Sequence, residues 1–215
     1  MESSRHRQQM SLLIEGLHLE LAARPDVYVG GNMGLYFSAL QAKHNDFRAP
    51  DVFVVIGADQ RERKSWVVWE EGGKAPDVIV ELLSDRTADV DRGEKKRIYA
   101  RVLRVPVYVL FDPYTLELIV YRLENGDYVE VPPRPNGRVP VEGMELELGV
   151  HVSTYEKVEG PWLRWYRADG SLVPTRAEAL EAAESLAAAE RRRAEGAEAE
   201  IAQLKARLAA LERGS

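Results

Sequence analysis

The 215-residue sequence contains no cysteine, which excludes disulfides, thiol nucleophiles and cysteine-ligated metals together. Histidine is scarce as well. The four present are scattered, with neither an HExxH nor a paired-ligand spacing, so a zinc enzyme is not expected. No apolar run approaches the ~20 residues that span a bilayer, and the opening MESSRHRQQ lacks the apolar core of a signal peptide. Residence in the cytoplasm, away from membranes, is the expectation. Lysine is also sparse, seven against 22 arginines, with few Asn and Gln, a balance that suits heat-adapted proteins. The net charge of −6 argues against a protein that coats nucleic acid indiscriminately.

What is present, 45% hydrophobic and 30% charged residues, is enough for one well-buried α/β domain with an appendage. The most informative stretch is PDVIVELLSDRTADVDRGEKKRIYARVLRVPVYVLFDP, from Pro76 to Pro113. Val78 to Leu83 form a near-continuous apolar run, the pattern of a strand buried on both faces. Glu81 breaks it, and a carboxylate in such surroundings requires a partner or a metal. From Asp91 to about Leu103 the pattern is helical, with Ile98, Val102 and Val105 on one face. A second apolar run, Val107 to Phe111, ends at Asp112-Pro113. Strand, helix, strand predicts two parallel neighbours joined by a right-handed crossover.

From Arg92 to Arg104 the connection between them carries Arg92, Lys95, Lys96, Arg97, Arg101 and Arg104 against the single acid Glu94. Such a run is either a solvated face or a phosphate-facing patch beside an acidic site.

On the N-terminal side, Met10, Leu13, Ile14, Leu17 and Leu21 predict an amphipathic helix over roughly Ser4 to Ala23, with Glu15 and Glu20 on its solvent face. Val27 to Val29 and Leu35 to Leu40 read as short strands of a meander, Val52 to Ile56 as a buried strand, and Trp66 to Trp69 as a further short strand. Beyond Pro113, Leu116 to Leu123 and Asp127 to Val131 read as a hairpin across Glu124-Asn125-Gly126. Pro132 to Gly143 is too rich in Pro and Gly for regular structure. Trp162 to Tyr166 and Ser171 to Val173 flank Ala168-Asp169-Gly170 and read as a second hairpin. From Thr175 the composition changes to Ala, Glu and Arg, and Leu180, Ala183, Ala187, Ala194, Ala197, Ile201, Leu204, Leu208 and Leu211 follow a heptad that Glu190 interrupts. The boundaries are therefore a domain over 1–174 and a helical tail over 175–215, which reads either as a dimerising coiled coil or as a frayed, weakly associating helix.

Two Pro-Asp dipeptides could supply a second carboxylate beside Glu81. Asp77 lies four residues before it on the same strand face, about 13 Å away at the rise of an extended chain, too far for one cation to bridge. Asp51, directly before the strand Val52 to Ile56, has no such restriction. It is either a turn aspartate or a metal ligand. With Glu81 and the backbone carbonyl of Leu82 it would make a hard oxygen site suited to Mg²⁺ or Mn²⁺, an ion that polarises phosphates and activates water.

These residues resemble a family. Asp51, then Glu81-Leu82-Leu83-Ser84, then Asp91, Lys95 and Tyr99 at intervals of four, then Val-Pro-Val-Tyr-Val-Leu-Phe-Asp112-Pro113, look like the Uma-type bacterial family, long filed as a domain of unknown function, within the PD-(D/E)xK superfamily of restriction-endonuclease-like folds. The resemblance covers roughly Met10 to Leu148, and the Ala/Glu/Arg tail is also common in that family. It implies a mixed central sheet flanked by helices and a Mg²⁺-dependent nuclease. One departure is visible: the lysine that the superfamily places two residues after the second acid is replaced by Leu83. In the family resembled that lysine has moved to the following helix, and the matching position is Lys95. A long side chain from the first turns of that helix can bring its ammonium to the same place, where it would stabilise charge developing on the phosphate. Asp91 and Tyr99 share its helix face, either orienting the lysine or serving as a cap and a packing ring. Asp112 is a further acid near the site.

The expectation is thus an α/β, restriction-endonuclease-like protein that hydrolyses DNA phosphodiester bonds with Mg²⁺ or Mn²⁺. Asp51 and Glu81 would hold the metal and Lys95 would steady the transition state. Arg92, Lys96, Arg97 and Arg101 would contact backbone phosphates. The tail would form a homodimer or a higher oligomer. Two other readings stand beside it: a non-catalytic interaction or scaffold protein that keeps the fold, and a phosphoesterase acting on small phosphodiesters.

Overall fold

The computed structural model of the protein describes residues 3–38 and 47–213, the last eight of these as backbone only. The chain divides into two units, Met1–Val173 and Pro174–Ser215.

The first unit is built on a six-stranded sheet in the order β1-β3-β5-β6-β7-β8. Its strands are β1 (Val27–Gly30), β3 (Val52–Ile56), β5 (Val78–Leu82), β6 (Val107–Phe111), β7 (Leu118–Glu124) and β8 (Asp127–Glu130). The central pair β5 and β6 is parallel, and the other neighbours are antiparallel, so the sheet is mixed, as the strand-helix-strand pattern requires. Every residue of β5 and β6 is buried, because both faces are covered.

On one face Val52, Val54, Val78, Val80, Leu82, Val107 and Val109 pack against Leu13, Leu17 and Leu21 of the N-terminal helix α1 (Ser4–Glu20) and its C-terminal cap. The same core takes in a three-stranded antiparallel sheet. That sheet, β9 (Val139–Val141), β10 (Leu146–Tyr155) and β11 (Val158–Arg167), departs from the sequence reading. The Pro- and Gly-rich stretch does contain a strand, and Trp162–Tyr166 belongs to a long hairpin whose first arm alternation alone did not reveal. On the opposite face Phe53, Val55, Ile79 and Leu110 pack against Tyr99 and Leu103, and against Leu35 and Trp66 of the short parallel pair β2 (Leu35–Tyr36) and β4 (Trp66–Val67). Both short strands are briefer than expected, and Leu40, the far end of the first, lies outside the described residues.

The crossover helix α2 occupies residues 88–103 and begins at Ala88, three residues before the expected Asp91. It is irregular: α-helical over Ala88–Val90 and Lys96–Ile98, but π-helical over Asp91–Lys95 and Tyr99–Leu103. The wider turns rotate the apolar stripe, so Tyr99, Ala100 and Leu103 are buried whereas Val102, expected on the packed face, is 59% exposed. π-turns recur at functional sites because they redirect side chains without breaking the helix. Here the Tyr108 hydroxyl donates to the Asp91 carbonyl at 2.9 Å inside the first of them.

The second unit is the helix α3 (Arg176–Arg213). A reciprocal capping box starts it: Thr175 N donates to Glu178 Oε2 at 2.7 Å, and Glu178 N donates to Thr175 Oγ1 at 3.1 Å. Leu180, Leu186, Ile201 and Leu204 are all more than half exposed.

Candidate active site

The C-terminal end of β5 opens into a cleft of about 830 Å³ lined by His6, Asp51, Glu81, Asp91, Lys95 and Asp112 among others. Strand register brings the first two predicted residues together. Val52 pairs with Val80 in the antiparallel ladder, so one further step sets Asp51 opposite Glu81. Asp51 is also tied to the next residue, accepting the Leu82 backbone N–H on Oδ2 at 2.7 Å. Its backbone is held as closely: Gly31 passes so near that an added Cβ would lie 2.4 Å from the Asp51 carbonyl oxygen, and only glycine permits that approach.

Glu81 is 2% exposed and has two donors on one oxygen, the Tyr99 hydroxyl at 2.9 Å and Lys95 Nζ at 3.0 Å from Oε1. Lys95 Nζ also stands 2.8 Å from Oδ1 of the buried Asp91, one turn earlier. The lysine therefore bridges two carboxylates, reaching from α2 to Glu81 on β5. Tyr99, on the same helix face, contacts Glu81 and not the lysine. Burial pushes the Glu81 carboxyl up to about 8, against the pull of Lys95, with Asp51 and Asp91 adding to the rise. Burial would lower the Lys95 ammonium, but the two carboxylates outweigh it and hold the group above its usual range. The Tyr99 hydroxyl is driven well above its ordinary value, first by burial and then by Glu81. A buried carboxylate under this strain, open to a cleft, is a place where a further positive charge is favoured.

The remaining residues fall into two groups. Asp112 forms a turn, its Oδ1 accepting the backbone N–H groups of Tyr114 and Thr115 at 2.8 and 3.1 Å. Burial acts to raise its pKa, but those amides and Arg92 bring it down. The basic residues of α2 are dispersed: Arg92 pairs with Glu117 at 2.5 Å, Arg101 with Asp127 at 2.8 Å, Lys96 lies 3.6 Å over the Tyr121 ring, and Arg97 is exposed.

Sequence reasoning missed His6. Its Nε2 is 3.0 Å from Asp51 Oδ1, and the residue is buried in the cleft wall. The available signal was weak: polar His6, Gln8 and Gln9 at the start of α1 are all buried, although nothing in SRHRQQ looks apolar.

Two carboxylates, a backbone carbonyl and water make a donor set that fits Mg²⁺ or Mn²⁺, ions that keep several waters and take one or two protein carboxylates. Among the described residues no group of three His, Cys, Asp or Glu side chains is gathered closely enough to hold a metal on its own, so an all-protein cage of the zinc or calcium kind does not fit.

The chain was compared with known proteins. The chain is 28% identical over 125 residues to the uncharacterised protein slr1290 of Synechocystis sp., covering 57% of this chain and 60% of that protein. It also aligns with a crystal structure from Anabaena variabilis described as a "putative nuclease belonging to DUF820", at 17% identity and a TM-score of 0.48, over 66% of this chain and 74% of the other. A family model named Uma2 and described as "Putative restriction endonuclease" matches residues 1–154, a span that holds every residue of the cleft, and the chain belongs to that family.

Proposed function

We propose that the protein is a Mg²⁺- or Mn²⁺-dependent endonuclease that hydrolyses DNA phosphodiester bonds in this cleft. The observation that carries the reading is the buried Glu81, bound by Lys95 and set opposite Asp51 at the cleft floor. Asp51, Glu81 and the Leu82 carbonyl would hold the ion, which when bound polarises a phosphate oxygen and lowers the pKa of a water. Both side-chain donors on Glu81 converge on Oε1, which leaves Oε2 to face the ion. Lys95, kept charged by Asp91 and Glu81, offsets the negative charge that develops on the phosphate. Arg92, Lys96, Arg97 and Arg101 would contact the DNA backbone. The exposed pairs that hold Arg92 and Arg101 are worth only about 0–1 kcal/mol, so phosphate can replace their partners. The exposed Leu180, Ile201 and Leu204 support pairing of two protomers through α3, so that both strands can be cut. A monomeric mass by light scattering would remove that part of the proposal.

The test is nicking of supercoiled plasmid in Mn²⁺ and Mg²⁺, with Asp51→Ala, Glu81→Ala and Lys95→Ala beside the wild type. The metal-ligand variants should fall to background. Lys95→Ala should lose about 10²–10³-fold, the scale of one transition-state charge contact. Cleavage that survives all three would refute the assignment. A folded, metal-loaded wild type that cuts neither plasmid nor a nitrophenyl phosphodiester would instead favour an interaction protein working through the exposed apolar residues of α3.

A further inference from the structure

We propose that His6 is a positioning residue for Asp51, fixing the carboxylate in the orientation in which it binds the divalent ion. The inference rests on the metal-dependent reading above. A carboxylate has about four lone-pair directions. Oδ2 of Asp51 accepts the Leu82 N–H, and that bond alone leaves the group free to swing about it. The second contact, His6 Nε2 to Oδ1 at 3.0 Å, removes this freedom: because an ionised carboxylate only accepts, Nε2 carries the proton and donates. One lone pair on each oxygen then remains for an ion.

Asp77 shows that the histidine is not needed for the backbone role. It likewise accepts a strand N–H, from Ile56 at 2.7 Å, and does so at a half-buried site where, among the described residues, Lys74 and not a histidine is its charged neighbour. The histidine is specific to the acid that lines the cleft.

The first turn of α1, which carries His6, is itself held by further contacts. Ser3 caps α1, its Oγ accepting the His6 backbone N–H at 3.1 Å and the Tyr114 hydroxyl at 2.8 Å. Arg5 Nε donates to the Pro113 carbonyl at 3.0 Å, and its guanidinium lies 4.3 Å over the Trp162 ring. The turn that presents Tyr114 is the one organised by Asp112. A relay of Asp112, Tyr114, Ser3 and His6 thus carries the placement of Asp51, which gives Asp112 an indirect role in place of direct participation. Groups that orient metal ligands in this way typically account for 10–100-fold in metal affinity.

The experiment is calorimetric titration of the metal-free, full-length protein with Mn²⁺. His6→Ala should raise the dissociation constant by about 10–100-fold. His6→Gln, whose amide N–H can occupy the place of Nε2–H, should bring it back to within a few-fold of wild type. Asp77→Ala serves as the control for destabilisation without a change in affinity. If alanine leaves the protein unfolded, His6→Leu fills the same volume without a donor and should show the same weakening. Equal affinity in wild type and the donor-less variants would overturn the role of His6 and leave the metal site standing. No binding by wild type would overturn the metal site itself and this inference with it.

Discussion

The two Pro-Asp dipeptides, Pro50-Asp51 and Pro76-Asp77, are the same motif used twice in one ladder. Each aspartate stands just before one of the antiparallel partners β3 and β5. Each accepts a backbone N–H from the far end of the other strand, Asp51 from Leu82 and Asp77 from Ile56, both at 2.7 Å. As hydrogen-bonded strand ends they are equivalent. They differ in what meets the rest of the carboxylate. Asp77 is half-buried with Lys74 as its charged neighbour, and its pKa is raised by burial against the Ile56 amide and that lysine. Asp51 meets His6, lies opposite Glu81, and faces the cleft. A dipeptide that tidies a strand end becomes part of a site only where other elements converge on it.

This contrast can be broken most sharply by activity. Asp51→Ala should abolish plasmid nicking and the rise in melting temperature on adding Mn²⁺. Asp77→Ala should keep both while costing about 1–3 kcal/mol through the orphaned Ile56 amide. Loss of nicking in a folded Asp77→Ala would show that the two ends are not separable.

The next effect concerns Glu81. Its folded-state carboxyl is raised to about 8, above the ~4.3 of an unfolded glutamate, so between these values the native state holds more protons than the unfolded chain. Stability of the metal-free protein is then fully present at low pH and falls as pH rises through that window. Melting curves from pH 5 to 8.5 should show this decline, and Glu81→Gln should flatten it. A metal-free wild type that grows more stable over the same range would contradict the raised value.

Smaller again is the backbone contact behind Asp51. Gly31→Ala places a methyl against the Asp51 carbonyl and should cost about 1–3 kcal/mol by overpacking, with a weaker Mn²⁺ response as Asp51 shifts. An unchanged Mn²⁺ response would mean that the strand end gives way without moving the carboxylate. The smallest effects belong to the surface: Arg92→Ala and Arg101→Ala should alter stability by no more than about 0.5 kcal/mol, yet each should reduce the salt dependence of DNA binding by about one unit of slope. A slope that does not move would take these arginines out of the DNA contact.

Much of this was legible in the sequence. The apolar runs at Val78–Leu82 and Val107–Phe111, the acid inside the first and the basic helix between them required a parallel central pair with a carboxylate at its core, because uninterrupted hydrophobicity on both faces has few other solutions. The four-residue spacing of Asp91, Lys95 and Tyr99 likewise put them on one face. The choice of Asp51 over Asp77 could be argued from strand rise alone. The sequence did not carry the π-helical turns that expose Val102, since their cause is packing of Tyr99 and Leu103 against the sheet and not a local preference. Nor did it carry β9 and β10, whose residues become strands by pairing with one another and with β11.

His6 marks the limit most clearly. Periodicity and composition fix which elements form and which faces they bury, because those depend on neighbours in the chain. A contact between residues 45 positions apart depends on where the first turn of α1 comes to rest, and that is set by Ser3, Arg5 and the turn at Asp112. The sequence by itself determined the sheet, the acids and the lysine; the tertiary structure alone decided which aspartate has a histidine at its side.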